Sequence, residues 1–225
     1  MKIRIISGRE LSPELVAAWR GLPTDPGTRF DRDFVVDCRA LAPQVTWGTT
    51  QQDVAGIDQA VPDPSSYASA QRRELAATAI SYMGLVPGTP LEGIPIDVAF
   101  IGSCTNSRLG DLEAAAAIVR GRKVAPGVRA LVVPGSMSVK RAAEARGLHE
   151  AFREAGFEWR DAGCSMCVSI NQDLVPPGAR CIATSNRNFE HRQGPRSRTH
   201  LASPAMAAAA AIAGVITDSR RMMPA

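Results

Sequence analysis

Residues 96–108 read IDVAFIGSCTNSR. The run from Ile96 to Ile101 is almost wholly apolar and stops at Gly102, which predicts a buried strand followed by a turn. From Ser107 to Val119, the residues Leu112, Ala115, Ala116, Ile118 and Val119 recur at helical spacing. A strand that is apolar on both faces and hands over to a helix is the unit from which parallel sheets are assembled.

The same alternation continues downstream. Residues 128–135 predict the next strand, and Ser136 is placed to cap a helix that runs to Arg146 and stops at Gly147. His149 to Ala155 predicts a short helix and Phe157 to Trp159 a strand. Cys181 to Thr184 predicts another short strand, and Ser203 followed by Pro204 opens an alanine-rich helix over 205–213. Upstream, Ser66 is expected to open a helix through Met83, where Gly84 stops it, and Pro87 to Pro95 reads as a linker. Residues 33–38, DFVVDC, and the stretch VTWGT read as strands. Residues 1–30 are rich in turn formers (Gly21, Pro23, Pro26, Gly27) and read as a loosely attached leader to a region 31–225. The expected fold class is α/β, a mostly parallel sheet flanked by helices on both faces, with no internal repeat.

Composition narrows the function classes. The chain has 225 residues, 45% hydrophobic and 21% charged, as in an ordinary globular protein. A chain of that size buries roughly 70% of its unfolded surface without staples. Aromatics are only 5%, so the core must rest on Ala, Val, Ile and Leu. Net charge is +4, but the basic residues are scattered in short pairs such as Arg72-Arg73 and Arg220-Arg221. The dense stretch Arg187 to Arg198 holds four arginines with little aromatic interleaving, which suits a small polycarboxylate better than a nucleic acid. No run of about 18 apolar residues predicts a membrane span, and MKIRIISGRE carries no apolar region of signal-peptide length. A cytoplasmic location is the resulting expectation. The five cysteines, at 38, 104, 164, 167 and 181, are then expected as thiols or metal ligands rather than disulfides.

Cys104 follows one predicted strand directly, and the pair in GCSMC, Cys164 and Cys167, follows another. Sites in open α/β sheets lie beyond the carboxyl ends of strands. Three thiols there are open to several readings. They suit buried small hydrophobes, zinc with a fourth ligand from His149, His191 or His200, or a redox pair that leaves Cys104 unexplained. They also suit an iron–sulfur cluster with one iron lacking a protein ligand. Cys181 and Cys38 read as core residues.

IGSCTNSR, DAGCSMC, TSNRNFEHRQGPRSRTHLASPAMAAAAAIAG and TWGT together closely resemble the aconitase superfamily of hydro-lyases, and within it the large-subunit family of the isopropylmalate dehydratases. The resemblance runs from about Phe34 to about Gly214. It implies that Cys104, Cys164 and Cys167 ligate three irons of a [4Fe–4S] cluster. Asn106 and Asn186 would hydrogen-bond around that cluster, and Arg187 and Arg192 would grip the carboxylates of a small hydroxy-dicarboxylic acid. The implied reaction interconverts 2- and 3-isopropylmalate in leucine biosynthesis, with homoaconitate- or citramalate-type acids as alternatives. The implied partner is a small subunit that carries a swivelling domain and the serine base. Ser107 and Arg108 read as cap and first-turn residues, and His200 as structural.

The chain departs from the family in three ways. Family large subunits are about twice this length, and the part without counterpart is the N-terminal half, with the acid–base histidines. A separate N-terminal half is therefore an expected partner, and catalytic residues within this chain are unknown. His191 and Met137 stand where the family usually has glycine, so His191 would strain the loop that aims Arg192 if its φ is positive. Segment 1–30 fits the family poorly. Two other functions stay open: an aconitase-like remnant that binds RNA or senses iron, and a zinc or redox protein built on Cys164 and Cys167.

Overall fold

In the computed structural model the described residues are 2–6, 12–22, 24–170 and 172–223. Residues 7–11 and Pro23, parts of the expected leader, lie outside the described residues. The chain forms two compact units, residues 1–42 and 43–225. The division falls at 42/43 rather than 30/31 because the strand β2 (Asp33–Asp37) belongs to the first unit. It pairs in parallel with β1 (Lys2–Ile6), in register from Lys2↔Asp33 to Ile6↔Asp37. Helix α1 (Pro13–Arg20) completes this unit, with the Ser12 hydroxyl accepting from the Leu15 N–H.

The second unit opens with the antiparallel pair β3 (Gln44–Thr46) and β4 (Val54–Gly56), followed by α2 (Ala70–Met83). The cap of α2 is Ser69, not Ser66: residues Pro64–Ser66 are a 3-10 turn closed on the Asp63 carboxylate. Pro64 starts that turn, and the helix waits for the next serine with free first-turn amides. Five strands then form one parallel sheet. They are β5 (Val98–Ile101), β6 (Arg129–Val132), β7 (Glu158–Trp159), β8 (Arg180–Ala183) and β9 (Arg198–Leu201). The spatial order is β7-β6-β5-β8-β9. Helices α3 (Leu109–Val119), α4 (Met137–Ala145), α5 (Leu148–Ala155) and α6 (Pro204–Ala213) flank it.

This order fixes where the site must lie. From β5 the chain steps outward through α3 to β6 and through α4 and α5 to β7. It then returns across β6 and β5 to reach β8. Crossovers between parallel strands are right-handed, so a reversal of direction puts the return on the opposite face of the sheet. That is what is found. Helix α6 packs on β5, β8 and α3, and α3 packs on α5. This layer meets Ala99, Ile101, Ala130, Val132 and Ile182, all buried. The alternating residues Val98, Phe100, Leu131, Val133, Cys181 and Ala183 form a second apolar cluster with Met166, Cys167 and Val175 of the returning segment. The irregular segment between β7 and β8 is thus the lid on the second face, and it carries two of the three cysteines.

The alanine run of α6 explains how so few aromatics suffice. Ala207 to Ala211 are all fully buried, so α6 approaches its neighbours closely with almost no side chain to order. Two predicted roles change. Ser107 is buried and donates to the Val133 carbonyl at 2.8 Å, instead of capping α3. The α3 start is held by Arg108, whose N–H donates to the Asp111 carboxylate at 2.9 Å. The sequence pattern marks no element over Arg198–Leu201, and this stretch is the fifth strand, β9. Met137 is the exposed first residue of α4 and has no positive φ.

Candidate metal centre

Between β5 and β8 the strand order reverses, and in open parallel sheets that is where ligands bind, outside the carboxyl ends. The loop leaving β5 carries Cys104. The loop leaving β8 carries Asn186 to Ser197. The segment leaving β7 carries Cys164 and Cys167. The first two loops are stitched by Thr184, whose hydroxyl accepts from the Gly102 N–H at 2.8 Å and donates to the Gly102 carbonyl at 2.6 Å. The Asn106 amide adds a third bond, donating to the Thr184 carbonyl at 2.8 Å.

The β8–β9 loop also holds the cysteine pair. Arg192 Nε donates to the Cys167 carbonyl at 2.9 Å, and Gln193 Nε2 donates to the Met166 carbonyl at 3.2 Å. In return the Ser169 hydroxyl donates to the Arg192 carbonyl at 2.8 Å. The Arg192 guanidinium lies over the Phe189 ring, 5.1 Å from its centroid. With Nε committed, its two terminal nitrogens have no hydrogen-bond partner among the described residues and form the forked donor set that matches a carboxylate. Arg187 is exposed on the same loop, with no ion-pair partner among the described residues.

The TWGT segment joins through Asn188. Its amide nitrogen donates to the carbonyls of Gly48 and Thr199 and to the Thr46 hydroxyl, at 2.7, 3.2 and 3.2 Å. Gly48 is required there: a Cβ on it would sit 2.4 Å from the Asp53 carboxylate, which accepts from the Thr49 and Thr50 amides. Gln51 Nε2 donates to the Asn186 carbonyl at 2.7 Å, while the Asn186 side chain is on an exposed residue. All four quoted motifs therefore converge on one rim.

The backbone there is strained. Among the described residues, six non-glycine residues have positive φ: Ser103, Ser165, Ser169, Gln172, His191 and Arg196. All lie on these loops, and such conformations cost about 1–2 kcal/mol each. His191, at φ 66°, shows the strain expected at that position. It is held by its N–H donating to the Tyr82 hydroxyl at 3.0 Å and its Nδ1 accepting from the Arg196 N–H at 2.9 Å.

The thiols themselves are free. Cys104 and Cys164 are exposed and Cys167 is buried. Three sulfur donors without a fourth protein ligand fit an iron–sulfur cluster in the chemistry of the donor set, and their two loops share the rim. Among the described residues, however, no three His, Cys, Asp or Glu side chains stand close enough together to hold a metal ion. The loops share the site but the sulfurs have not closed on a common point. Cys181 lies in the core, its thiol pushed up by burial. Cys38, in a short turn of the first unit, is only half-buried, so the core reading does not hold for it. His200 is fully buried, with Nδ1 facing the Thr46 carbonyl at 2.6 Å and Nε2 facing Arg180 at 2.8 Å. Burial first, and then the charge of Arg180, lower its pKa to about 3, so it is a neutral structural residue.

Sequence reasoning missed Thr184, Asn188, Gln193 and Asp173. Asn188 and Gln193 lie within quoted motifs, and their burial was the missing information. Asp173 lies in a loop with no pattern to single it out.

The aconitase family (aconitate hydratase) matches this chain over residues 5–214, including most of the segment 1–30. A curated relative, the 3-isopropylmalate dehydratase large subunit 1 of Bradyrhizobium diazoefficiens, is 56% identical over 223 aligned residues. The alignment covers 96% of this chain and 47% of the relative, so the chain spans about half the length of that protein. Among the described residues no helix is long and apolar enough to cross a membrane.

Proposed function

We propose, from the premise that the chain belongs to the aconitase family, that it is the cluster-binding part of the large subunit of a 3-isopropylmalate dehydratase, a hydro-lyase of leucine biosynthesis. Its cofactor is a [4Fe–4S] cluster held by Cys104, Cys164 and Cys167. Its partners are the rest of a full-length large subunit and a small subunit, in the cytoplasm, where five free thiols are at home. The observation that supports this most directly is the 2.9 Å bond from Arg192 Nε to the Cys167 carbonyl. It ties a guanidinium, whose terminal nitrogens have no partner among the described residues, to the loop that carries two of the proposed ligands.

When bound, a cluster with three thiolate ligands supplies one iron as a Lewis acid for a substrate hydroxyl and carboxylate. This chain's own residues bind and orient. Arg192, braced on Phe189 and Cys167, presents a planar fork to one carboxylate, and Arg187, exposed on the same loop, serves a second. Asn106, tied to Thr184 and two residues from Cys104, and Asn186, on the β8–β9 loop, would hydrogen-bond around the cluster. Of the three histidines, His149 lies on α5 against the Trp159 ring and not on the loops that carry the cysteines. His200 is buried and neutral, and the His191 Nδ1 is committed to Arg196. The acid–base residues that the family resemblance implies belong to the part of the large subunit that this chain does not span.

Anaerobic reconstitution of the full chain with iron and sulfide tests the assignment. The expected result is about four iron and four sulfide per chain, falling sharply on Cys→Ser substitution at 104, 164 or 167. Unchanged iron in all three variants, or stoichiometric zinc in the purified protein, refutes it.

A further inference from the structure

The Cys164–Cys167 loop sits on a polar foundation that the cluster assignment does not use. Between the two cysteines, Ser165 and Met166 both point inward and are buried. Met166 enters the apolar cluster under the sheet. Ser165, at φ 43°, donates its hydroxyl to Asp173 Oδ2 at 2.6 Å. Asp173 is itself buried, 7% exposed, and its other oxygen takes Arg160 Nη2 at 3.1 Å and Arg129 Nη2 at 3.4 Å. Both arginines also pair with Glu158 of β7, at 2.8 Å for Arg129 and 2.7 Å for Arg160. The first residue of β6 and the residue after β7 thus converge on one carboxyl group, and Glu158 of β7 bridges the two arginines. The remaining oxygen of Asp173 holds the serine between the two thiols.

Stability alone does not account for this. Burying the Asp173 carboxylate costs desolvation, which its pairing with two half-exposed arginines does little more than offset. Strained φ at Ser165 adds to the cost. What the network does supply is direction: a single side chain in a single place, on rigid strands. With Ser165 fastened to Asp173 and Met166 in the core, the short turn between them leaves Cys164 exposed and Cys167 buried.

We propose that Asp173, through Ser165, is a positioning residue that sets the Cys164–Cys167 loop for cluster binding. The proposal rests on the assignment of those cysteines as ligands. Partners one step removed from metal ligands typically change metal retention 10- to 100-fold when lost. Asp173→Ala and Ser165→Ala in the full chain are therefore expected to release iron to a chelator about 10- to 100-fold faster than the parent chain after anaerobic reconstitution. Asp173→Asn, which keeps an acceptor for the Ser165 hydroxyl, is expected to recover part of that loss.

A second readout needs no cluster. In iron-free protein, the alkylation rates of Cys164 and Cys167, measured by mass spectrometry against Cys104, are expected to rise in Asp173→Ala and Ser165→Ala. The Cys104 rate and the urea midpoint of the second unit should indicate that the fold persists. If the parent chain takes up no iron but the paired thiols still change selectively, the ligand assignment fails and Asp173 stands as the anchor of that loop. If iron release and thiol reactivity both match the parent in the two alanine variants, or if all three thiols change together, the positioning role is overturned.

Discussion

Thr184→Val removes one hydroxyl and almost no volume, at the point where the sheet reverses its order. In the parent, that hydroxyl is the partner of both the Gly102 N–H and the Gly102 carbonyl, at 2.8 and 2.6 Å. Thr184 is fully buried and Gly102 is buried, so neither backbone group gains water when the hydroxyl goes. A stranded buried polar group costs about 1–3 kcal/mol, giving about 2–6 kcal/mol for the pair. That is a large share of the 5–15 kcal/mol that typically separates folded from unfolded states. Thr184→Ser keeps both bonds and loses one methyl, worth about 1 kcal/mol. Urea unfolding at neutral pH, with equal slopes for the variants, should rank Val well below Ser. The Val variant should also alkylate faster at Cys104, because the loop leaving β5 loses two of its three ties to Thr184. Equal midpoints for Val and Ser would refute the reasoning, since they would show that Gly102 finds other partners.

Two further perturbations follow from the strained and buried groups. At His191, with φ 66°, Gly should be more stable than Ala by about 1 kcal/mol in thermal unfolding, the reverse of the usual order, and a higher Ala midpoint would contradict the strain. At His200, burial holds the folded pKa near 3, below the unfolded value of about 6.5. Its contribution is therefore complete above pH 6.5 and is lost as pH falls from there toward 3, by up to about 1.4 kcal/mol per unit. His200→Gln should flatten that part of the stability profile between pH 7.5 and 5, and an unchanged slope would show that His200 is not its source.

The legible parts of the fold are those where one physical signal acted alone. The β5 strand is apolar at every position because it is buried on both faces. The helix α6 declared itself through Ser203 and Pro204, and the Ser203 hydroxyl does accept from Met206. Strand β9, Arg-Thr-His-Leu, was opaque because its buried positions are polar and satisfied from afar. His200 finds the Thr46 carbonyl, and Thr199 donates to Gln193 at 2.7 Å. Only the fold brings those partners near, so a period-2 hydrophobic reading has nothing to detect. The same holds for Ser69 over Ser66, where both are good caps and Pro64 decides between them.

At the site, the sequence disclosed the residues whose chemistry is conspicuous, the thiols and arginines, and hid those that aim them. Thr184, Asn188, Gln193 and Asp173 act through hydrogen bonds to groups on other loops and strands, and such bonds leave no mark in local spacing. Their arrangement has a consequence for how the site assembles. The loop between β8 and β9 is bonded to the Cys104 loop through Thr184, to the cysteine pair through Arg192 and Gln193, and to the TWGT turn through Asn188. None of these segments is regular, and each contains or borders a residue with positive φ or a glycine that no other residue can replace. The strain is therefore maintained by mutual bonding across one rim rather than within any single loop. Loosening one loop should raise the cost of holding the others, so substitutions at Thr184 and Asn188 should be strongly non-additive in a double-mutant cycle. Simple additivity would mean that the loops are set independently by the strands beneath them.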